Sequence, residues 1–322
     1  MFQSLFGGLR SVRDSNVLNR LSRLAVGLLG CTGRHTITGI LSTNGDDQRD
    51  WSADYRLFSR GRFEVDELFG VVEQRLLERL PPGHSVVTAL DDTKLHKTGK
   101  KIPGVSYQRD PMSPPFHTNF IRAQRFAQLS MMMPLDPSDP GAARGFPIRF
   151  QHVPPPPRPG SAASPEQLKA YRRLQKEQNL SVAGAAIIRD CRSSLDDRGA
   201  ADRTLIVSVD GSYTNGTVLK TLPPRTTLIG RVRKDAKFSY PPSIQPTRGR
   251  RKSYGDPAPT PEQLRQDETV PWQRVRVWAS GKFHDCECKT LAPIQWRKAG
   301  SDHPLRMIVI RPLGYRLSAQ SR

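Results

Sequence analysis

The stretch SVVTALDDTKLHKTGKK, residues 85–101, runs an apolar segment into two adjacent carboxylates, Asp91 and Asp92, followed by Lys94, Lys97, Lys100 and Lys101. A second apolar segment, TLIVSV at 204–209, runs into Asp210. In α/β sheets, ligands collect outside the C-terminal ends of the strands, where side chains leave the core. Two carboxylates there suit Mg2+, or Mn2+, which takes a few oxygen ligands and completes its shell with water and phosphate. A divalent ion so held supports attack on phosphorus. Strand-end aspartates also serve as turn formers and caps, so neither residue says much alone. The pair, in a basic chain, points to phosphoryl chemistry. Successive strand residues face opposite ways, so only one of Asp91 and Asp92 enters a shared site; the other is a turn or supporting residue.

The elements that must position these groups are legible in outline. The 322 residues carry 50 Lys and Arg against 30 Asp and Glu, a formal charge of +20 and a pI near 10.4. That surplus favours a polyanionic partner, nucleic acid ahead of an anionic membrane surface. At 36% hydrophobic the chain can build a core. Four cysteines, Cys31, Cys191, Cys286 and Cys288, make no disulfide framework, which suits a reducing compartment. The first residues make a poor secretory signal, and the run Leu24–Leu29 is too short to span a bilayer. A cytoplasmic protein is expected.

Residues 1–83 read as a helical domain. Val17, Leu18, Leu21, Leu24 and Leu28 recur at helical spacing, and GRHTITGILSTNG offers Thr36 and Thr38 as caps. Two short helices here would suit a helix-turn-helix DNA reader or a small bundle. A helix over 65–80 ends at Pro81-Pro82-Gly83. From 84 onward the pattern predicts strands at 86–90, 120–133, 145–153, 204–209 and 227–232. One long helix is predicted over 166–197. Residues 241–271, rich in proline, glycine and charge, read as a loop; alternation returns at 274–279, 282–288 and 305–310. The fold class expected is mixed α/β, with a β-rich insertion over about 241–303.

Taken together, LDDTKLHKTGKKIPGV, VSVDGSYTNG, the basic β-rich insertion and MIVIRPLGYRLS resemble the DDE transposases of bacterial insertion sequences. The likeness is to the cut-and-paste branch, whose RNase H-like catalytic domain carries a β-strand insertion. It implies Asp92, the acid before a threonine, and Asp210 as catalytic and metal-binding residues, DNA ends and target as substrates, and a homodimer on paired ends. The family's third acid lies on a helix beyond the insertion, within a Tyr, Arg, Glu and Lys motif absent from this sequence. The expectation is therefore a C-terminally truncated transposase with little or no strand transfer.

Other residues carry weaker signals. Lys94, Lys97, Lys100 and Lys101 could contact phosphates beside Asp92 or form a solvated loop. Arg248, Arg250, Arg251 and Lys252, followed by Tyr254, offer a flexible polyanion contact. Trp272, Trp278 and Trp296 suit core packing better than base stacking. HDCEC (284–288), with His303 as the one later partner, lacks zinc-site spacing. Two alternatives remain: a non-catalytic DNA-binding protein that occupies transposon ends, and a nuclease using Asp285 or Glu287.

Overall fold

A computed structural model of the chain describes residues 6–12, 14–99, 101–114, 116–136, 139–243, 249–279 and 282–312. Lys100, Arg248 and the end of MIVIRPLGYRLS lie outside the described residues. The chain divides into two compact units. The first is Met1–Pro81 with Pro147–Arg149, and the second is Pro82–Phe146 with Phe150–Arg322.

The first unit is helical: α1 Ser15–Gly30, α2 Ile37–Thr43, α3 Ser52–Ser59 and α4 Val65–Arg79. Asp14 caps α1 through Asn16 N, and Thr36 caps α2 through Gly39 N, each filling an orphan amide of a first turn. Val17, Leu21 and Leu24 of α1 pack with Leu41 and Leu57, whereas Leu28 is exposed and Gly27 takes the buried place. Arg23 bridges Asp46 at 3.1 Å and Asp54 at 2.9 Å, which fixes the 44–51 segment and α3 against α1. That segment is longer than the roughly three- to four-residue turn of a helix-turn-helix. Thr38 does not cap; its hydroxyl meets Tyr55 Oη at 2.6 Å.

The second unit holds two sheets. Strands β1 (Val86–His96), β2 (Ser106–Arg109), β3 (Phe120–Asp136), β4 (Asp139–His152), β5 (Leu205–Val209) and β6 (Thr226–Gly230) form the first, in the order β2-β3-β1-β5-β6 with β4 on β3. β1 is antiparallel to β3 but parallel to β5, and β5 is parallel to β6. This is the mixed sheet expected of an RNase H-like fold. The predicted helix over 166–197 is two helices, α5 (Pro165–Glu177) and α6 (Leu180–Asp197). Asn179 breaks them by capping α6 through Val182 N. α7 (Gly216–Leu219) follows β5.

The second sheet, β11-β10-β7-β8 with β9 on β10, joins β7 (Phe238–Ser239), β8 (Pro257–Ala258), β9 (Gln273–Ala279), β10 (Lys282–Trp296) and β11 (Gly300–Pro312). It reaches beyond 241–303 at both ends. The stretch read as a loop contains β8 and the capped helix α8 (Pro261–Gln266). Lys289, buried, donates to the carbonyls of Arg265 and Asp267 where α8 ends. Leu264, Ile294, Ala299 and Met307 form this sheet's core. Among the described residues no helix is long and apolar enough to cross a membrane.

Candidate active site

The apolar runs do place their acids together, but not as a strand end on the β1 side. β1 continues to His96, held by β3 through the pairs Asp91↔Gln128, Asp92↔Ala127 and Lys94↔Arg125. Only its parallel ladder with β5 stops, at Leu90↔Val209. Asp91 and Asp92 therefore sit within a strand, just past the last rung shared with β5, and Asp210 sits just past that rung on β5. The sequence could not show this, because β3 supplies the hydrogen bonds that prolong β1.

Alternation puts Asp92 on the face of Thr88 and Leu90, both buried, and leaves Asp91 exposed on the other. Asp91 Oδ1 accepts the Asp92 N–H at 2.8 Å, so it supports its neighbour as expected, though from a strand rather than a turn. Burial pushes the half-buried Asp92 carboxyl above the ordinary carboxylate range. Asp91 and, more weakly, Asp210 push the same way, against Lys94 and Arg125.

Asp210 is exposed, and the residues after it shape its loop. Its Oδ1 accepts from the Ser212 amide at 2.9 Å and hydroxyl at 2.6 Å. Thr214 Oγ1 donates to the Asp210 carbonyl at 2.9 Å. Asn215 then caps α7 and donates to Ser181 Oγ at 2.8 Å, joining the loop to the first turn of α6. Between them Tyr213 is wholly buried, with a hydroxyl that has no hydrogen-bond partner among the described residues. Burial pushes its hydroxyl far up, and the charges of Asp92, Asp91 and Asp210 add to the effect. The ring fits because α6 carries Gly184 there: a Cβ would stand 2.7 Å from the Tyr213 ring and 3.1 Å from Leu90.

Asp210 adds to the cost of ionising Asp92, and this pair of oxygen-only donors fits a divalent cation, which would relieve that cost. Among the described residues no three His, Cys, Asp or Glu side chains gather as a metal-binding group. Glu287 is not available to join them: it pairs with Arg311 at 2.6 Å within the second sheet.

The basic residues disperse. Lys94 lies on β1 and its Nζ donates to the Arg109 carbonyl at 2.8 Å. Lys97 and Lys101 follow β1, half-buried and exposed respectively, while Arg250, Arg251 and Lys252 are exposed between β7 and β8, on the other sheet. Sequence reasoning missed Arg125, whose guanidinium sits close enough to Asp92 to feel its charge; no local pattern marks it, because its place opposite Lys94 is set by the β1–β3 register. It also missed a cleft of about 1010 Å3 lined by Arg125, Ser181, Ser212, Asn215, Lys220 and Lys298 among others. Lys298 comes from the turn between β10 and β11, and a Cβ on Gly216 would lie 2.7 Å from its carbonyl. The second sheet thus reaches the helix behind Asp210. Of the tryptophans, Trp296 is core, Trp278 meets Phe283 edge-on at 4.8 Å, and Trp272 lies under Arg311 at 4.1 Å and Lys289 at 4.7 Å.

A family model described as DDE superfamily endonuclease matches residues 13–301. No curated protein matches the chain.

Proposed function

This chain belongs to the DDE superfamily endonucleases, and on that premise we propose that it is a transposase of the cut-and-paste kind found in insertion sequences, with Asp92 and Asp210 as its metal-holding acids. The observation that carries the reading is the parallel register Leu90↔Val209, which brings both acids just past the last rung that β1 and β5 share. Mg2+ or Mn2+ bound there would activate the attacking oxygen and stabilise the leaving one. Asp91 fixes the backbone of Asp92 through its amide. Arg125 and Lys94 offset the negative charge of a phosphate drawn toward two acids, and the cation-lined cleft beside Ser212 gives the flanking strand donors rather than carboxylates. Lys97, Lys101, Arg250, Arg251 and Lys252 add phosphate contacts further out, and Lys100 is a candidate with them by sequence alone.

In this reading water adds at phosphorus and the bond to the 3′ oxygen breaks. The freed 3′-hydroxyl then attacks a phosphodiester of the target and displaces that strand's own 3′ oxygen. In each step the entering oxygen loses a proton and the departing one gains one. With two carboxylates the ion is weakly held, so little or no strand transfer is expected. The helical unit 1–81 would hold the element's ends, in a homodimer acting in the cytoplasm.

The test combines metal binding with nicking of supercoiled plasmid. Wild type should bind Mn2+ weakly, by calorimetry, and nick only at raised Mn2+ or Mg2+. Asp92→Asn and Asp210→Asn should lose both properties while duplex affinity changes less than about twofold. Unaltered Mn2+ binding in both variants would sink the assignment. Tight duplex binding without nicking at any metal concentration would favour the second reading, a non-catalytic occupant of transposon ends, which the +20 charge also supports.

A further inference from the structure

The ribbon formed by β2 and β3 carries a surface that the metal site does not use. Its register pairs Tyr107 with Arg122 and Arg109 with Phe120. Opposed residues of an antiparallel ladder share a face, so two rings and two guanidinium groups alternate on one surface. The other face, with Gln108, Ile121 and Ala123, is turned inward: Ala123 is fully buried, and Gln108 Nε2 donates to its carbonyl at 3.0 Å. On the outward face Tyr107 is 74% exposed and Phe120 62%. Met112 and Phe116, in the segment joining the strands, are 86% and 91% exposed. So much large apolar surface left in water within residues 107–120 marks a place where something docks.

Charge chooses among partners. None of the residues paired in this ribbon is acidic. The Arg122 guanidinium lies 5.9 Å from the Tyr107 ring centroid and donates to the carbonyls of Thr98 at 3.4 Å and Gly99 at 3.3 Å. It thereby holds the segment bearing Lys97 and Lys101 beside the rings. Lys94, two residues past Asp92, ties the same ribbon to β1 through the Arg109 carbonyl. Rings interleaved with cations suit an anionic polymer with exposed π-faces, because each base stacks while its phosphate meets an arginine. A duplex hides those faces. A strand with unpaired bases presents them.

We propose that the Tyr107–Arg109–Phe120–Arg122 face is a stacking platform for unpaired bases of a DNA strand. It rests on the endonuclease reading for the choice of DNA, but its test needs neither metal nor cleavage, so the two fail separately. The full chain, in chelator, is titrated against labelled oligothymidine and against a duplex of the same length, by fluorescence anisotropy. Tyr107→Ala and Phe120→Ala should each weaken single-strand binding roughly 5- to 100-fold, with duplex affinity within about twofold and the melting temperature unchanged. Tyr107→Trp should retain single-strand affinity. Equal loss on both ligands, or no loss on either, overturns the proposal. So does a change in sedimentation without a change in single-strand affinity, which would make the face a contact between copies of the chain.

Discussion

Asp92 illustrates how much a single position must reconcile. Its carboxyl is half-buried, faced by Asp210 and flanked by Asp91, and titrates above its ordinary range for those reasons, burial first. A folded value raised above the unfolded one means that the protonated form is the better tolerated. The stability it contributes is present below the unfolded carboxyl range and lost as pH rises through the folded value. At neutral pH and without metal, ionised Asp92 therefore costs stability. Asp92→Asn in chelator should melt higher than wild type at pH about 7, with the gain shrinking as pH falls and vanishing at about pH 2, below the unfolded carboxyl value of about 3.9, where the carboxyl is protonated in both states. Calorimetry at the two pH values checks this, and coincident melting at both would refute it. Arg125 and Tyr213 share this site's tension: burial pulls the Arg125 guanidinium down, and the buried Tyr213 hydroxyl has no hydrogen-bond partner among the described residues.

At the scale of elements, the site depends on α6 lying close over β1 and on the turn after β5. Gly184 is what permits that approach, since any Cβ there meets the Tyr213 ring. Gly184→Ala should cost about 1–3 kcal/mol by overpacking, seen as a lower denaturation midpoint with unchanged slope. It should also weaken Mn2+ binding, because Tyr213 sits between Asp210 and the cap of α7. A midpoint equal to wild type would show that the ring can give way. The caps were readable in part: of the two threonines offered, Thr36 caps α2 and Thr38 does not, while Ser164 with Pro165 opens α5 through a capping box. The Asn179 break was not, because an asparagine inside an apolar-periodic stretch continues a helix or caps a new one depending on what packs above it.

Across the whole molecule, the +20 charge is the widest-ranging feature. It is carried by residues of both sheets, with Lys94, Lys97 and Lys101 on or after β1 and Arg250, Arg251 and Lys252 between β7 and β8. Duplex affinity should fall steeply as salt rises, with a log–log slope that loses about 0.9 for each phosphate contact removed. The double variant Arg250→Ala, Arg251→Ala should flatten the slope by up to about 2 if both contact DNA. A salt-independent wild type would end the polyanion argument.

The sequence by itself singled out Asp92 and Asp210 as candidates, because an apolar run can be buried only as an element, and an acid next to it lies where that burial stops. It also carried the resemblance to DDE enzymes, through the order of two aspartate motifs and a basic β-rich insertion, and the family match over 13–301 supports that much. Tertiary structure alone decided that β1 outruns its parallel partner, since β3, some thirty residues on in the chain, supplies the missing hydrogen bonds. It alone set Arg125 opposite Lys94, brought Lys298 of the second sheet to Gly216, and turned Tyr107 and Phe120 outward together. Each of those depends on register between strands distant in sequence, and register is fixed by the pairing of whole faces rather than by any local run of letters.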